Sequence, residues 1–254
     1  MTLVLMEQEK AGIPTADCGS CPHREDRLKG GRCNPGDVCV RAMSGRQIAR
    51  FFKRNPDLAE HYAGDEFWER RAIAARYLSQ QRLLQMLDDP DEVVRRVLAY
   101  RLPRDQLQAL LNDSDREVRI TVADRIPGEA LEQLVEDEDY MVRQTVARRL
   151  QPGRLFRMIL DNDREVRKHV ALRLPVESLG LMMNDAAPEV RLVVAERIDD
   201  ESLKGMLQDS DWRVRLTACQ RVPVNALDAM LDDEDEDVRI VAAARIADAS
   251  EKDR

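Results

Sequence analysis

The sequence predicts an all-α solenoid of 24-residue repeats, preceded by a small cysteine-rich domain that holds a metal centre. Two observations carry this. Arginine stands at positions 95, 119, 143, 167, 191, 215 and 239, always after valine, with aspartate six residues before it and a second arginine six residues after it. Such a fixed period signals stacked supersecondary units whose core runs along an axis. Four of the five cysteines, by contrast, crowd into 22 residues outside the repeat, at 18, 21, 33 and 39. The division expected is a cysteine-rich domain over 1–60 and a repeat domain over 61–254.

The chain opens on Met1-Thr2-Leu3-Val4-Leu5-Met6, followed by Glu7 and Glu9. This apolar stretch is too short for a signal-peptide core, and no apolar run is long enough to cross a membrane. The expectation is a soluble, cytoplasmic protein without a membrane partner. In that compartment two disulfides are disfavoured. The pattern Cys18-x2-Cys21-x11-Cys33-x5-Cys39 instead suits four thiolates closing around one tetrahedral ion or one cluster. Gly30, Gly31 and the Asn34-Pro35-Gly36 turn let the backbone wrap tightly, and its N–H groups can bond to sulfur. Spacing alone leaves both Zn²⁺ and an iron–sulfur cluster open. Only the first half is a CxxC knuckle, which tilts the balance modestly toward a cluster. His23 is a spare ligand that four cysteines make unnecessary, and no C-x3-C-x2-C frame for a radical-generating cluster is present.

Between positions 41 and 54 five basic residues, Arg41, Arg46, Arg50, Lys53 and Arg54, occur without an acid, alongside Ile48, Phe51 and Phe52. The stretch predicts an amphipathic helix joining the metal domain to the first repeat. Its basic face is read as a solvated surface beside negatively charged thiolates, ahead of a contact for nucleic acid or another anionic partner.

Each repeat then reads as one α-helix of about three turns and one shorter helix. In the unit from Asp113, Val118, Val122 and Ile126 fall at helical spacing with Ala123 on the same face. Asp113 or Asp115 serves as N-cap, and Pro103, Pro127, Pro175 and Pro223 are expected to stop their helices. The remaining ten or so residues hold pairs such as Leu131 and Leu134, or Leu155 and Met158. That is too short for a full antiparallel partner, so a stunted α or 3₁₀ segment is expected. A strand is rejected because period-two alternation is missing. Seven units start at Asp89 and every 24 residues thereafter. A degenerate one precedes them, with Arg70 in the valine slot and Tyr77 in the second-arginine slot. The acidic run Asp232–Asp237 and the tail Glu251–Arg254 read as a solvated far end.

An unbroken row of arginines invites the idea of an anion-binding groove. A column present in every unit serves assembly first, however, and the aspartate column supplies one counter-charge per repeat. The expected pairing is with an aspartate, or with carbonyls at a helix end, in the same or the next unit. The second column, in the last helical turn, meets the negative end of a helix dipole. Charge is uneven: residues 1–60 hold 10 Lys+Arg against 8 Asp+Glu, and 61–254 hold 30 against 40. This disfavours nucleic-acid binding over the whole surface. Cys219, in an alanine slot, is a core residue. His169 is a variant at a partly exposed position, and Trp212 an exposed hint of a contact surface. No nucleophile–base constellation, phosphate-cradling glycine loop or His-Glu metal helix is present, so no catalytic residue is predicted.

The repeat Asp-x4-Val-Arg-x3-Ala-x-Arg-Leu-Pro with a trailing Leu-x2-Leu-Leu-x-Asp, together with the four-cysteine segment, resembles the leucine-rich repeat variant family over nearly the whole chain. The resemblance implies alternating α and 3₁₀ helices in a right-handed superhelix without β-sheet. It also implies a [4Fe–4S] cluster on Cys18, Cys21, Cys33 and Cys39, and it names no reaction. Function is therefore expected to be that of a protein-interaction scaffold with a structural or redox-sensing cluster. The alternatives are an electron carrier, or a nucleic-acid binder using residues 41–54.

Overall fold

A computed structural model describes residues 16–252, so the Met1–Met6 segment and the last residues of the polar tail lie outside the described residues. The chain divides into two compact units between Val122 and Ala123. The first contains a π-helical turn at Arg24–Leu28, then α1 (Gly45–Arg54), 3₁₀ turns at Pro56–Leu58 and Glu60–Tyr62, α2 (Trp68–Ala74), α3 (Gln80–Leu84), α4 (Glu92–Arg101) and a 3₁₀ helix at Arg104–Leu110. Helix α5 (Arg116–Arg125) spans the division. The second unit continues with α6 (Tyr140–Arg149), α7 (Arg164–Arg173), α8 (Pro188–Arg197), α9 (Asp200–Leu203), α10 (Trp212–Arg221) and α11 (Glu236–Lys252). Its intervening 3₁₀ helices include Ala130–Leu134, Pro152–Met158 and Val176–Met182. Among the described residues there is no strand, only an isolated antiparallel bridge between Asn34 and Val38. The fold is an all-α repeat solenoid, as the period demands.

The helices form where the sequence places an acceptor for free amides and an apolar stripe behind it. The carboxylate of Asp139 accepts the amide of Met141 at 2.8 Å, and that of Asp163 the amide of Glu165 at 2.8 Å. The N-cap is thus the second aspartate of each unit, the place of Asp115, whose carboxylate takes the amides of Glu117 and Val118. In α8 alanine stands there and Pro188 opens the helix, where its missing N–H is not needed. Inside, Val142, Val146 and Ala147 are fully buried, and Leu155 of the following 3₁₀ helix is too. The ten residues left after each α-helix are therefore 3₁₀ in most units, at about 2 Å rise per residue.

The helices before Pro103, Pro175 and Pro223 end as expected, but a following proline is not required for the stop. Leu102, before Pro103, turns extended at φ −64°, ψ 146°, but Leu150 before Gln151 and Ile198 before Asp199 do the same. All three side chains are at most 1% exposed. For Leu150 and Ile198, the freed carbonyl is taken by an arginine of the next unit, Arg173 at 2.7 Å and Arg221 at 2.7 Å.

The charged ladder has a definite geometry. Arg95 donates to both carboxylate oxygens of Asp113, and Arg143, Arg167, Arg191 and Arg215 do likewise to Asp161, Asp185, Asp209 and Asp233, at 2.7–2.9 Å. The carboxylate partner lies eighteen residues on, in the next repeat. The aspartate six residues before contributes its backbone carbonyl instead, as in Arg143 to Asp137 at 2.7 Å. The second column reaches backward: Arg173 donates to Ala147 and Leu150, and Arg245 to Cys219 and Val222. The units of Arg143, Arg167, Arg191 and Arg215 are thus bonded forward by one guanidinium and backward by another.

Candidate metal centre

The segment 16–44 contains little regular structure, and its path is set by turns. The amide of Cys21 reaches the carbonyl of Cys18 at 3.4 Å, and a single π-helical turn carries the chain from Arg24 to Leu28. Gly31 at φ 70° and Gly36 at φ 83° take left-handed conformations that favour glycine. Gly30 lies so close to the Asp26 carbonyl that a Cβ would meet it at 2.7 Å. The bridge between Asn34 and Val38 then returns the chain so that Cys39 comes back against Cys18, Cys21 and Cys33.

All four cysteines line one pocket, together with the apolar Leu28, Val38, Val40 and Phe51 and with Arg24 and Arg41. The thiols are free, Cys39 is buried and the other three are half-buried. Burial raises the Cys18 thiol above its ordinary range, and the neighbouring Cys39 and Cys21 raise it further. Burial does the same to Cys33, followed by the charges of Cys21, Cys39 and Cys18. Four thiolates this close repel one another, which a cationic centre among them would relieve. No group of three or more His, Cys, Asp or Glu among the described residues is placed to hold a metal ion. Four thiols lining one pocket are a donor set suited to a thiophilic metal centre.

His23 also lines the pocket but is already engaged. Its Nε2 meets the Tyr62 hydroxyl at 2.8 Å, and its ring packs against Phe51 at 5.7 Å. Burial lowers the His23 pKa, and burial pushes that of Tyr62 up to about 12, with Cys21 adding to it. The imidazole is a packing and hydrogen-bonding group beside the thiols. Asn55, fully buried at the end of α1, donates to the carbonyls of Arg32 at 3.0 Å and Phe51 at 2.9 Å, which fixes the approach to Cys33. Arg27 reaches Asp57 at 2.6 Å, and Arg70 reaches the Val40 carbonyl at 2.7 Å. Sequence reasoning missed Asn55 and Tyr62, because a lone polar residue next to a helix end carries no pattern. Arg70 was visible as a break in the repeat.

The basic stretch 41–54 forms the expected amphipathic helix from Gly45 onward. Gln47, Ile48, Phe51 and Phe52 face inward, and Arg46, Arg50, Lys53 and Arg54 are exposed. Arg50 pairs with Asp37. Elsewhere Cys219 is fully buried and Trp212 is 41% exposed, as their slots predict. His169 meets the Glu165 carbonyl within its own helix at 2.9 Å. No helix among the described residues is long and apolar enough to cross a membrane.

A repeat solenoid with an N-terminal four-cysteine centre defines the class, and comparison with known proteins gives the family. Residues 14–61 match the family model described as the LRV protein FeS4 cluster, and residues 68–91, 116–139 and 164–187 match the leucine-rich repeat variant model. Each of those three windows starts at the first residue of an α-helix. A solved structure described as a leucine-rich repeat variant with a novel repetitive structural motif is 56% identical, covers 91% of this chain and 99% of its own, and superposes with a TM-score of 0.87. The chain belongs to the leucine-rich repeat variant family and carries its iron–sulfur domain. An uncharacterized 27.7 kDa protein in the nifB 3′ region of Rhodobacter capsulatus is 39% identical over 87 residues, a match spanning 34% of this chain and 35% of that protein. A designed armadillo repeat protein aligns over 76% of this chain and 98% of its own at 14% identity with a TM-score of 0.21, too low to support any argument.

Proposed function

We propose that Cys18, Cys21, Cys33 and Cys39 together hold one [4Fe–4S] cluster that stabilises the N-terminal domain, and that the repeats present a surface to a protein partner in the cytoplasm. The observation that carries this reading is the convergence of four free thiols, and no other strong ligand set, on a single pocket. When bound, the cluster would supply four strong cross-links to a segment with one π-turn and one bridge of its own. Four cysteine ligands leave no iron position for substrate, which favours a structural centre over a catalytic one. A reducing compartment suits such thiols.

The ladder supports a scaffold in preference to an anion groove, since Arg95, Arg143, Arg167, Arg191 and Arg215 each hold an aspartate in two bonds. Apolar side chains do stand out of the second unit: Phe156, Leu160 and Leu181 are 58, 85 and 66% exposed. Such residues suit a protein contact. A redox-sensing role for the cluster is the second reading, favoured by the partial exposure of Cys18, Cys21 and Cys33.

The test is an anaerobic pull-down with the cluster-loaded protein and with Cys33→Ala. A protein retained by both forms places binding on the repeats, and one retained only by the loaded form places it at the cluster domain. Salt-dependent capture of nucleic acid without any protein partner would replace this reading with the nucleic-acid one through residues 41–54. Reversible one-electron cycling of the cluster with a captured redox protein would make it a carrier.

A further inference from the structure

The repeat slot occupied by Val94, Val142, Val166 and Val190 is fully buried in every one of those units. In the first repeat, on α2, that slot holds Arg70. A guanidinium in a core slot loses hydration that bonds from its donors must replace, and two such bonds are present. Its Nη1 lies 3.0 Å from the Asp65 carboxylate, its Nε donates to the Val40 carbonyl at 2.7 Å, and its plane sits 5.4 Å from the Phe67 ring centroid. Only 16% of the side chain is exposed.

Two vacancies explain the exchange. In the later repeats, the aspartate at the place of Asp65 is held by an arginine eighteen residues earlier, as Arg71 holds Asp89 at 2.7 Å. Eighteen residues before Asp65 the chain has Gln47, which cannot serve, and Arg70 takes that carboxylate instead. The second vacancy is the Val40 carbonyl. It follows Cys39, the most buried of the four cysteines, and no regular element supplies it with a donor.

We infer that Arg70 is a positioning residue for the metal centre. It fixes the Val40 carbonyl, one residue beyond Cys39, to the first repeat, and so couples the lifetime of the cluster to the integrity of that repeat. This rests on the four cysteines being the ligands. Groups that orient ligands from outside the coordination shell typically change metal retention about 10–100-fold when removed. The slot itself does not require arginine, because the later units place a buried valine there; within the first repeat Arg70 serves only as the partner of Asp65.

The test uses the full chain with an anaerobically reconstituted cluster. Loss of cluster absorbance under a chelator, the EPR spectrum of the reduced cluster, and thermal unfolding of the helices are followed for the wild type, Arg70→Val/Asp65→Asn, and Arg70→Met. The double change restores the repeat's usual valine without leaving a buried carboxylate unpaired. The carboxamide that replaces the Asp65 carboxylate keeps an oxygen able to accept the Phe67 amide. The expected result in both variants is cluster loss accelerated about tenfold or more with an altered EPR spectrum, with the helix unfolding midpoint unchanged in the double variant and lowered in Arg70→Met, which strands the Asp65 carboxylate. Lifetime and spectrum equal to the wild type in either variant would overturn the inference. Should the double variant fail to fold, Arg70→Met decides by the same readouts. A wild type that retains no cluster at all would instead refute the ligand reading.

Discussion

Arg143 holds both carboxylate oxygens of Asp161, at 2.7 and 2.9 Å, across the step from one repeat to the next. The same carboxylate accepts the amide of Asp163 at 2.8 Å, which is itself the N-cap of α7. One ion pair thus links the helix of one unit to the start of the next. Stability in a solenoid is a sum over such interfaces, so disturbing one should be felt as loss of a whole step.

With side chains 13% and 6% exposed, the pair is largely withdrawn from water. Arg143→Met should destabilise the chain by about 3–5 kcal/mol, because it strands a buried carboxylate. The double change Arg143→Met/Asp161→Asn should cost clearly less than the sum of the single changes. Urea unfolding of the four proteins measures this. Additive losses would show that the pair does not act as a unit.

The ladder also sets a pH dependence. Burial alone would raise the Asp113 carboxyl, but the Arg95 guanidinium and the Asp115 amide outweigh it and hold the pKa below the usual carboxylate range. For Asp233 the bond from Arg215 comes first, against burial, with help from the Asp235 amide. A depressed folded pKa adds stability that is complete above the unfolded value of about 3.9 and is lost as pH falls through the lower folded value. Helical circular dichroism should therefore hold from neutral pH to about 4 and fall below it. Arg95→Met should move the onset of the fall to higher pH.

The backward column should matter less per residue. Arg173 donates to Ala147 and Leu150, each at 2.7 Å, and is half-buried. Arg173→Met should cost about 1.5–3 kcal/mol, the value of bonds from a charged donor. Urea unfolding again reads it, and a loss as large as that of Arg143→Met would contradict the asymmetry.

Thiol chemistry separates the fifth cysteine from the four. Cys219 is fully buried, and burial pushes its pKa up to about 11. Iodoacetamide at pH 8 should modify the part-exposed Cys18, Cys21 and Cys33 of the metal-free protein before Cys219, which it should reach only after denaturation. Mass spectrometry of the alkylated protein shows the order. Early labelling of Cys219 would refute its place in the core.

Much of this was legible in the sequence, because the repeat makes each position vote several times. The helices, the 3₁₀ segments, Cys219 and the pairing of arginine with aspartate all follow from the 24-residue period. The constant offset of six, as between Asp161 and Arg167, proved to mark a bond to the aspartate's carbonyl. Its carboxylate is held from the preceding unit, a distinction that spacing cannot make because both offsets repeat equally. Proline is not required for the stop: Leu150 and Ile198 leave the helix without one following directly. Outside the period, the cysteines announced themselves by chemistry. The groups that hold their loops, Asn55 and Tyr62, are single residues whose roles exist only in three dimensions.

The central claim is that four cysteines hold one iron–sulfur cluster. Mössbauer spectroscopy on ⁵⁷Fe-loaded protein purified without oxygen, with iron, sulfide and zinc analysis, tests it most directly. The predicted result is four irons and four sulfides per chain in the signature of a [4Fe–4S] centre with sulfur ligation at every iron, abolished in Cys33→Ala. One zinc per chain with no sulfide, or a cluster signature unchanged in Cys33→Ala, would contradict it.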